Sequence, residues 1–80
     1  MAASLKTHIE AYVIQRVKEM REAQNLSQSE LAVRLNVSNG FIGQAESSKS
    51  PSKYNLNHLN SLAIIFKCSI KDFMPEEPFK

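Results

Sequence analysis

Leu26-Ser-Gln-Ser-Glu-Leu-Ala-Val-Arg-Leu-Asn-Val-Ser-Asn-Gly-Phe-Ile-Gly-Gln-Ala-Glu46 reads as two short helices joined by a tight turn. Ser27 and Glu30 have the spacing of a capping box, in which each side chain takes up an otherwise unpartnered backbone N–H. Leu31, Ala32 and Leu35 fall at i, i+1 and i+4, the buried face of one helix. Asn36 follows at once, and Asn enters the left-handed conformation that stops a helix almost as readily as Gly. Val37 plugs the turn, and Ser38 is placed to cap a second helix, predicted over 39–46. Phe41, Ile42 and Ala45 form the inner stripe of that helix. The small Ala32 lets the two helices cross closely.

With that stripe facing in, Asn39, Gly40, Gly43, Gln44 and Ser47 face out. Two glycines inside a short helix cost about 1 kcal/mol each relative to alanine. Facing outward they answer no core requirement, and the close approach of a large partner such as a DNA major groove supplies a reason for them. Asn and Gln carry the amide that matches the N6/N7 edge of adenine. A solvated, amide-rich surface is the competing reading of the same stripe. The pair of helices is a helix-turn-helix.

Eighty residues allow one domain, and a chain of that size buries only about 60–65% of its extended surface. Hydrophobic residues make up 42% and charged residues 22% of the chain, which is ordinary for a globular domain and argues against disorder. Trp is absent and Gly occurs twice, a composition that suits an all-α chain. The net charge of +2 is too small to imply nucleic acid by itself. A single cysteine, Cys68, calls for no oxidising compartment and reads as core packing between Phe66 and Ile70. The apolar run Leu62–Phe66 is far too short to span a bilayer, and no apolar signal core follows the N-terminus. No membrane association is expected, and a cytoplasmic location is the default.

Residues 1–6 read as a flexible leader, 7–74 as the domain and 75–80 as a tail. Thr7 and Glu10 form a second capping box, opening a helix to about Gln24 whose buried face is Ile9, Val13, Val17 and Met20, with Tyr12 and Ile14 at its edge. Asn25 ends that helix. Ser47 to Tyr54 is a polar loop broken by Pro51, either a plain connection or a phosphate-gripping segment built from hydroxyls, lysines and free N–H groups. Asn55 caps a fourth helix to Phe66, with Leu56, Leu59, Leu62, Ala63 and Phe66 inward and Ile64 and Ile65 widening the face. Ser69 and Asp72 cap a last helix over 70–74 in which Ile70 and Phe73 pack inward, before Pro75 stops it. His8 and His58 stand far apart without paired ligands, so no metal site is expected.

The residues Val17-x-x-Met20-Arg21, Leu26-Ser27-Gln28, Glu30-Leu31-Ala32, Leu35-x-Val37-Ser38 and Ile42-x-x-x-Glu46, then Leu59, Leu62-Ala63, Phe66 and Ser69-Ile70-x-x-Phe73, resemble the Cro/cI-type helix-turn-helix family of phage repressors and bacterial regulators. The resemblance covers about residues 13–74. It implies an all-α, compact five-helix domain whose third helix enters the major groove of double-stranded DNA. Asn39 and Gln44 match base-reading positions, with Gly40 and Gly43 beside them on the same face. Gln28 matches a position that grips phosphate and braces the recognition helix. Ser47 and Lys49 match backbone-contacting positions, and Ser38 and Lys53 are further phosphate candidates. Arg21 and Glu46 match an ion pair that ties the first helix to the end of the third. The recognition helix has no basic residue, where relatives often carry Arg or Lys. Asn36 and Lys67 stand where Gly is frequent.

The sequence therefore points to a DNA-binding transcriptional regulator, a repressor acting as a homodimer, with no cofactor. The alternatives are the DNA-binding antitoxin of a toxin–antitoxin pair, whose further partner is a protein, and a protein–protein adaptor that has kept the fold and lost DNA. No Ser/His/acid set, carboxylate pair or metal cluster can be assembled, so an enzyme is not expected. Surplus apolar residues Ile64, Ile65, Met74 and Phe79 nominate the C-terminal region for the dimer contact.

Overall fold

Four helices follow one another through short connections: α1 His8–Ala23, α2 Gln28–Leu35, α3 Phe41–Glu46 and α4 Leu56–Phe66, ahead of a 3-10 helix, Ile70–Phe73. They are seen in a computed structural model that describes residues 5–80. Of the leader predicted over 1–6, only Leu5 and Lys6 are described, and residues 1–4 lie outside the described residues.

Each helix begins where a side chain can satisfy its first N–H groups. Thr7 and Glu10 exchange hydrogen bonds of 2.9 and 3.3 Å at the start of α1, and Ser27 and Glu30 do so at 2.9 and 3.0 Å at the start of α2. At α4 the reciprocal partner of Asn55 is His58, whose Nδ1 accepts the Asn55 N–H at 3.0 Å. The helices stop as sharply. Asn25, Asn36 and Lys67 take left-handed backbone angles, with φ of 57°, 60° and 56°. Asn tolerates that region because its short polar side chain can bond locally; Lys67 has no such compensation.

The fifth element differs from the expected α-helix. Ile70–Phe73 is a single 3-10 turn, opened by Ser69 and Asp72, whose Oδ2 accepts the Ser69 N–H at 3.0 Å. Pro75 accounts for its brevity, since the residue before a proline is pushed out of the helical region, and Met74 is extended at φ −103° and ψ 149°.

α1 packs on α3, α4 and the 3-10 turn, while α2 packs on α3 and α4. Val17, Leu31, Ile42, Leu62 and Phe73 are wholly inaccessible at the centre, and Met20 and Val37 are half-buried at the rim. Several expected inward residues face out. Ile9 is exposed, and α1 instead buries Val13, Ile14, Val17 and Arg21. The face is thus turned from the apolar-only pattern, because Arg21 takes a buried slot that hydrophobicity assigns to Met20. Leu56, Ile64 and Ile70 are exposed too, and Ile65 is half-buried. Cys68 packs at the core's edge, where burial pushes its thiol pKa up.

Candidate nucleic-acid interface

The turn between α2 and α3 decides which side of α3 is presented. Asn36 at φ 60° and ψ 47° reverses the chain, and its N–H and that of Val37 return to the carbonyls of Val33 and Ala32 at 3.2 and 3.0 Å. Ala32, on the buried face of α2, is 1% exposed. Ile42 and Ala45 are fully buried beneath. Phe41 leaves the helix sideways, its ring 5.9 Å from Tyr54 and 5.1 Å from His58. Asn39, Gly40 and Gln44 are then left exposed on one side, with Gly43 and Ser47 half-buried beside them.

α3 begins two residues later than expected. Asn39 and Gly40 lie in the turn, and Ser38 does not act through its hydroxyl; its carbonyl accepts the Phe41 N–H at 3.1 Å, and the N-cap is Gly40, with no side-chain cap. Gly40 has φ −88°, and a Cβ there would meet nothing within 4 Å. Neither strain nor crowding inside the chain requires glycine at 40. Gly43 is different. A Cβ at 43 would stand 3.1 Å from Gln28 Oε1, so glycine here leaves room for the Gln28 side chain.

Gln28 is held where it is by Glu46. Its Nε2 donates to Glu46 Oε1 at 2.9 Å, so the first residue of α2 is tied to the last of α3. The same carboxylate takes two bonds from Arg21, Nε to Oε2 and Nη2 to Oε1, both at 2.9 Å. Arg21 Nη1 donates to Leu26 O at 2.8 Å. Only 10% of the Arg21 side chain and 4% of that of Glu46 remain accessible, a bidentate pair almost out of water. The carboxylate holds the Arg21 pKa above its ordinary value. Three helices thus meet at one carboxylate.

The polar loop after α3 is built on its own hydroxyls. Lys49 N–H donates to Ser47 Oγ at 3.2 Å, Ser52 N–H to Ser50 Oγ at 3.2 Å, and Ser52 Oγ to Gln44 Oε1 at 3.3 Å. Lys49 is exposed, and its ammonium has no hydrogen-bond or ion-pair partner among the described residues. Lys53 is engaged elsewhere, in an ion pair of 2.8 Å with Glu10 at the start of α1. That bond is the first cause of the lowered Glu10 pKa. Sequence reasoning did not find Ser52, Tyr54 or Lys6 here, since none lies in a local pattern. The Lys6 ammonium reaches the carbonyl oxygens of Ala45 and Ser47. Tyr54 places its hydroxyl in the interior with no partner among the described residues, and burial drives its pKa far above the phenol's ordinary value.

Among the described residues no group of three or more His, Cys, Asp or Glu is placed to hold a metal ion, and no helix is long and apolar enough to cross a membrane. The helix-turn-helix family model matches residues 17–73. No curated protein matches the chain. Among solved structures, the restriction-modification controller protein C.AhdI from Aeromonas hydrophila superposes with a TM-score of 0.69 at 23% identity, over 80% of this chain and 94% of that one. The c2 repressor protein, solved in complex with a synthetic operator, superposes with a TM-score of 0.65 at 25% identity, over 81% of this chain and 96% of its own. Apo-HppE also carries the fold, at 19% identity and a TM-score of 0.69, in a match covering 84% of this chain and 36% of that one.

Proposed function

We propose that this chain, which belongs to the helix-turn-helix family whose model spans residues 17–73, is a sequence-specific DNA-binding transcription regulator that lays α3 in the major groove. The observation that carries this reading is the division of α3 into two sides. Ile42 and Ala45 are wholly buried against the rest of the domain, while Gln44, with Asn39 and Gly40 in the turn before it, is left to solvent. A short amide-bearing element, held rigid from behind and bare in front, suits base-edge recognition. The likeness to a repressor solved on its operator supports the same assignment.

Gln44 and Asn39 then read bases, and Gly40 admits the backbone close to the groove wall. Ser38, Ser47 and Lys49 grip phosphate from the turn and the loop. Gln28 braces α3 through Glu46 and Gly43, and Lys53 serves the Glu10 bridge before any phosphate. Two amides per recognition element give few base contacts, so the protein acts as a homodimer, a repressor occupying half-sites roughly 34 Å apart.

The experiment is selection of bound sequences from a random duplex pool, followed by affinity against salt for matched and mismatched duplexes. Gln44→Ala should blur preference at one A·T pair per half-site, at a cost of about 1–3 kcal/mol of discrimination, and leave the salt dependence alone. Lys49→Ala should weaken every duplex and flatten the salt slope by about one. Equal weakening of all duplexes by Gln44→Ala would remove α3 from the reading role. No binding even at low salt would favour the adaptor reading.

A further inference from the structure

Lys6 stands one residue ahead of the Thr7 cap, in a stretch whose composition marks it only as a leader. Its side chain is half-buried and crosses to the far end of the recognition helix. Lys6 Nζ donates to Ala45 O at 2.6 Å and to Ser47 O, with Gln44 O at the edge of reach at 3.5 Å. The last carbonyls of a helix have no partner within it. Ser47 N–H turns back to Gln44 O at 3.1 Å, and Ser50 N–H reaches Ser47 O at 3.3 Å. For Ala45 O, on a residue that is 0% exposed, Lys6 is the hydrogen-bond partner found among the described residues. α3 has no basic residue in its last turn, so the cation that favours a helix C-terminus arrives from another part of the chain.

A second tie leaves the same turn of α1. Glu10 accepts the Thr7 N–H at 2.9 Å and Lys53 Nζ at 2.8 Å. Lys6 and Glu10 therefore hold the two ends of the segment from Ser47 to Lys53, and Lys49 lies between the ties. Burial lowers the Lys6 pKa, with Glu10 opposing that shift and Lys53 adding to it, so the three groups share one electrostatic environment.

We propose that Lys6 is a positioning residue for DNA recognition: its ammonium clips the C-terminus of α3 to the start of α1, and with the Glu10–Lys53 bridge it fixes where the loop presents Lys49. This rests on the DNA-binding reading above. A lysine spent on backbone carbonyls acts through geometry and contributes no phosphate contact of its own. That distinction is measurable, because each phosphate contact adds to the salt slope and a positioning contact does not.

The test uses the full chain with Lys6→Met and Lys6→Arg, read in two ways. In the free protein, Lys6→Met should speed amide exchange at Ser47 and Ser50 by about tenfold beyond any change in global stability, the scale of one lost charge-assisted hydrogen bond. On the duplex selected with the unaltered protein, it should lower affinity about tenfold at an unchanged salt slope, and Lys6→Arg should recover most of both losses. Unchanged exchange would overturn the clip. A fall in affinity accompanied by a salt slope flatter by about one would overturn the positioning role and make Lys6 a phosphate ligand. If the unaltered protein selects no duplex, the DNA-binding reading fails and the recognition role of Lys6 with it, while the exchange result still decides whether the clip exists. Should Lys6→Met not fold, Lys6→Gln is read in its place by the same criteria.

Discussion

Replacing Glu46 by glutamine removes one charge and almost no volume, and the structure sets the size of the effect. The carboxylate receives two bonds from Arg21 and one from Gln28, each 2.9 Å long, and 4% of its side chain is accessible. Glutamine can accept at its oxygen, but its NH2 must then face a guanidinium nitrogen, donor against donor. Arg21 meanwhile stays charged and 92% out of solvent, being 8% exposed. Breaking a buried pair by removing one partner typically costs about 3–5 kcal/mol, because the remaining charge is left uncompensated. The whole domain is held by only about 4–12 kcal/mol at 80 residues. Glu46→Gln should therefore consume a large share of the stability.

The assay is urea unfolding of the two proteins, with thermal melts beside it. A loss of about 3 kcal/mol at this chain length lowers the Tm by more than about 12 °C. The control lies in the same molecule. Arg16 and Glu19 form an ion pair of 2.8 Å on the surface of α1, with side chains 35% and 50% exposed. Exposed pairs contribute about 0–1 kcal/mol, so Glu19→Gln should change little. The contrast between the two variants isolates burial as the cause. If Glu46→Gln costs less than about 1 kcal/mol, or no more than Glu19→Gln, the pair does not lock α3 in the way described.

Two further stability changes follow from particular groups. Tyr54→Phe deletes a hydroxyl that is buried without a partner among the described residues, so it should be neutral or stabilise by up to about 1 kcal/mol in denaturant unfolding; a clear destabilisation would mean that the hydroxyl is satisfied after all. Lys67→Gly replaces a left-handed residue at φ 56° by the one side chain without a Cβ penalty, and should stabilise by about 1 kcal/mol, where the same change at a right-handed helical position would destabilise by about that much.

What could be read from the sequence was what is local. Thr7 with Glu10 and Ser27 with Glu30 are three residues apart, and a capping box is complete within that span. Asn25 and Asn36 are legible as stops because Asn enters the left-handed region by itself, whereas nothing local marks Lys67 as one. The box at Asn55 was half-visible: the cap is a common one, but its partner is an imidazole, outside the usual Glu or Gln pattern. The buried face of α1 was displaced because hydrophobicity cannot foresee that Arg21 goes inside when a carboxylate from α3 meets it there. That Gln28, fifteen residues earlier, packs beside Gly43 is not legible from the helix itself. Ser38 looked like a cap because the turn's geometry, with Gly40 still in it, is set by how α3 seats on α2. Lys6 and Lys53 were opaque for the same reason, since their partners lie across the fold.

The length of α3 explains why so much of the chain is spent on it. Six residues is below what can sustain a helix alone, since nucleation fixes several dihedral angles for the first hydrogen bond and few bonds follow to offset it. Its form therefore has to be imposed from outside: Ile42 and Ala45 pin it to the core, Arg21 and Gln28 hold Glu46, and Lys6 closes its end. That arrangement uses cations internally. Arg21, Lys6 and Lys53 are all engaged with the protein itself, and Lys49 is left exposed in the loop after α3. On the proposed function, the charge that usually supplies salt-dependent, sequence-blind affinity is scarce at this surface. On the same proposal discrimination would come from the amides of Asn39 and Gln44, whose value would depend on being held still. On that proposal a rigid, nearly neutral reader would need its second half-site more than a basic one does, and dimer formation would be the step on which occupancy of an operator turns.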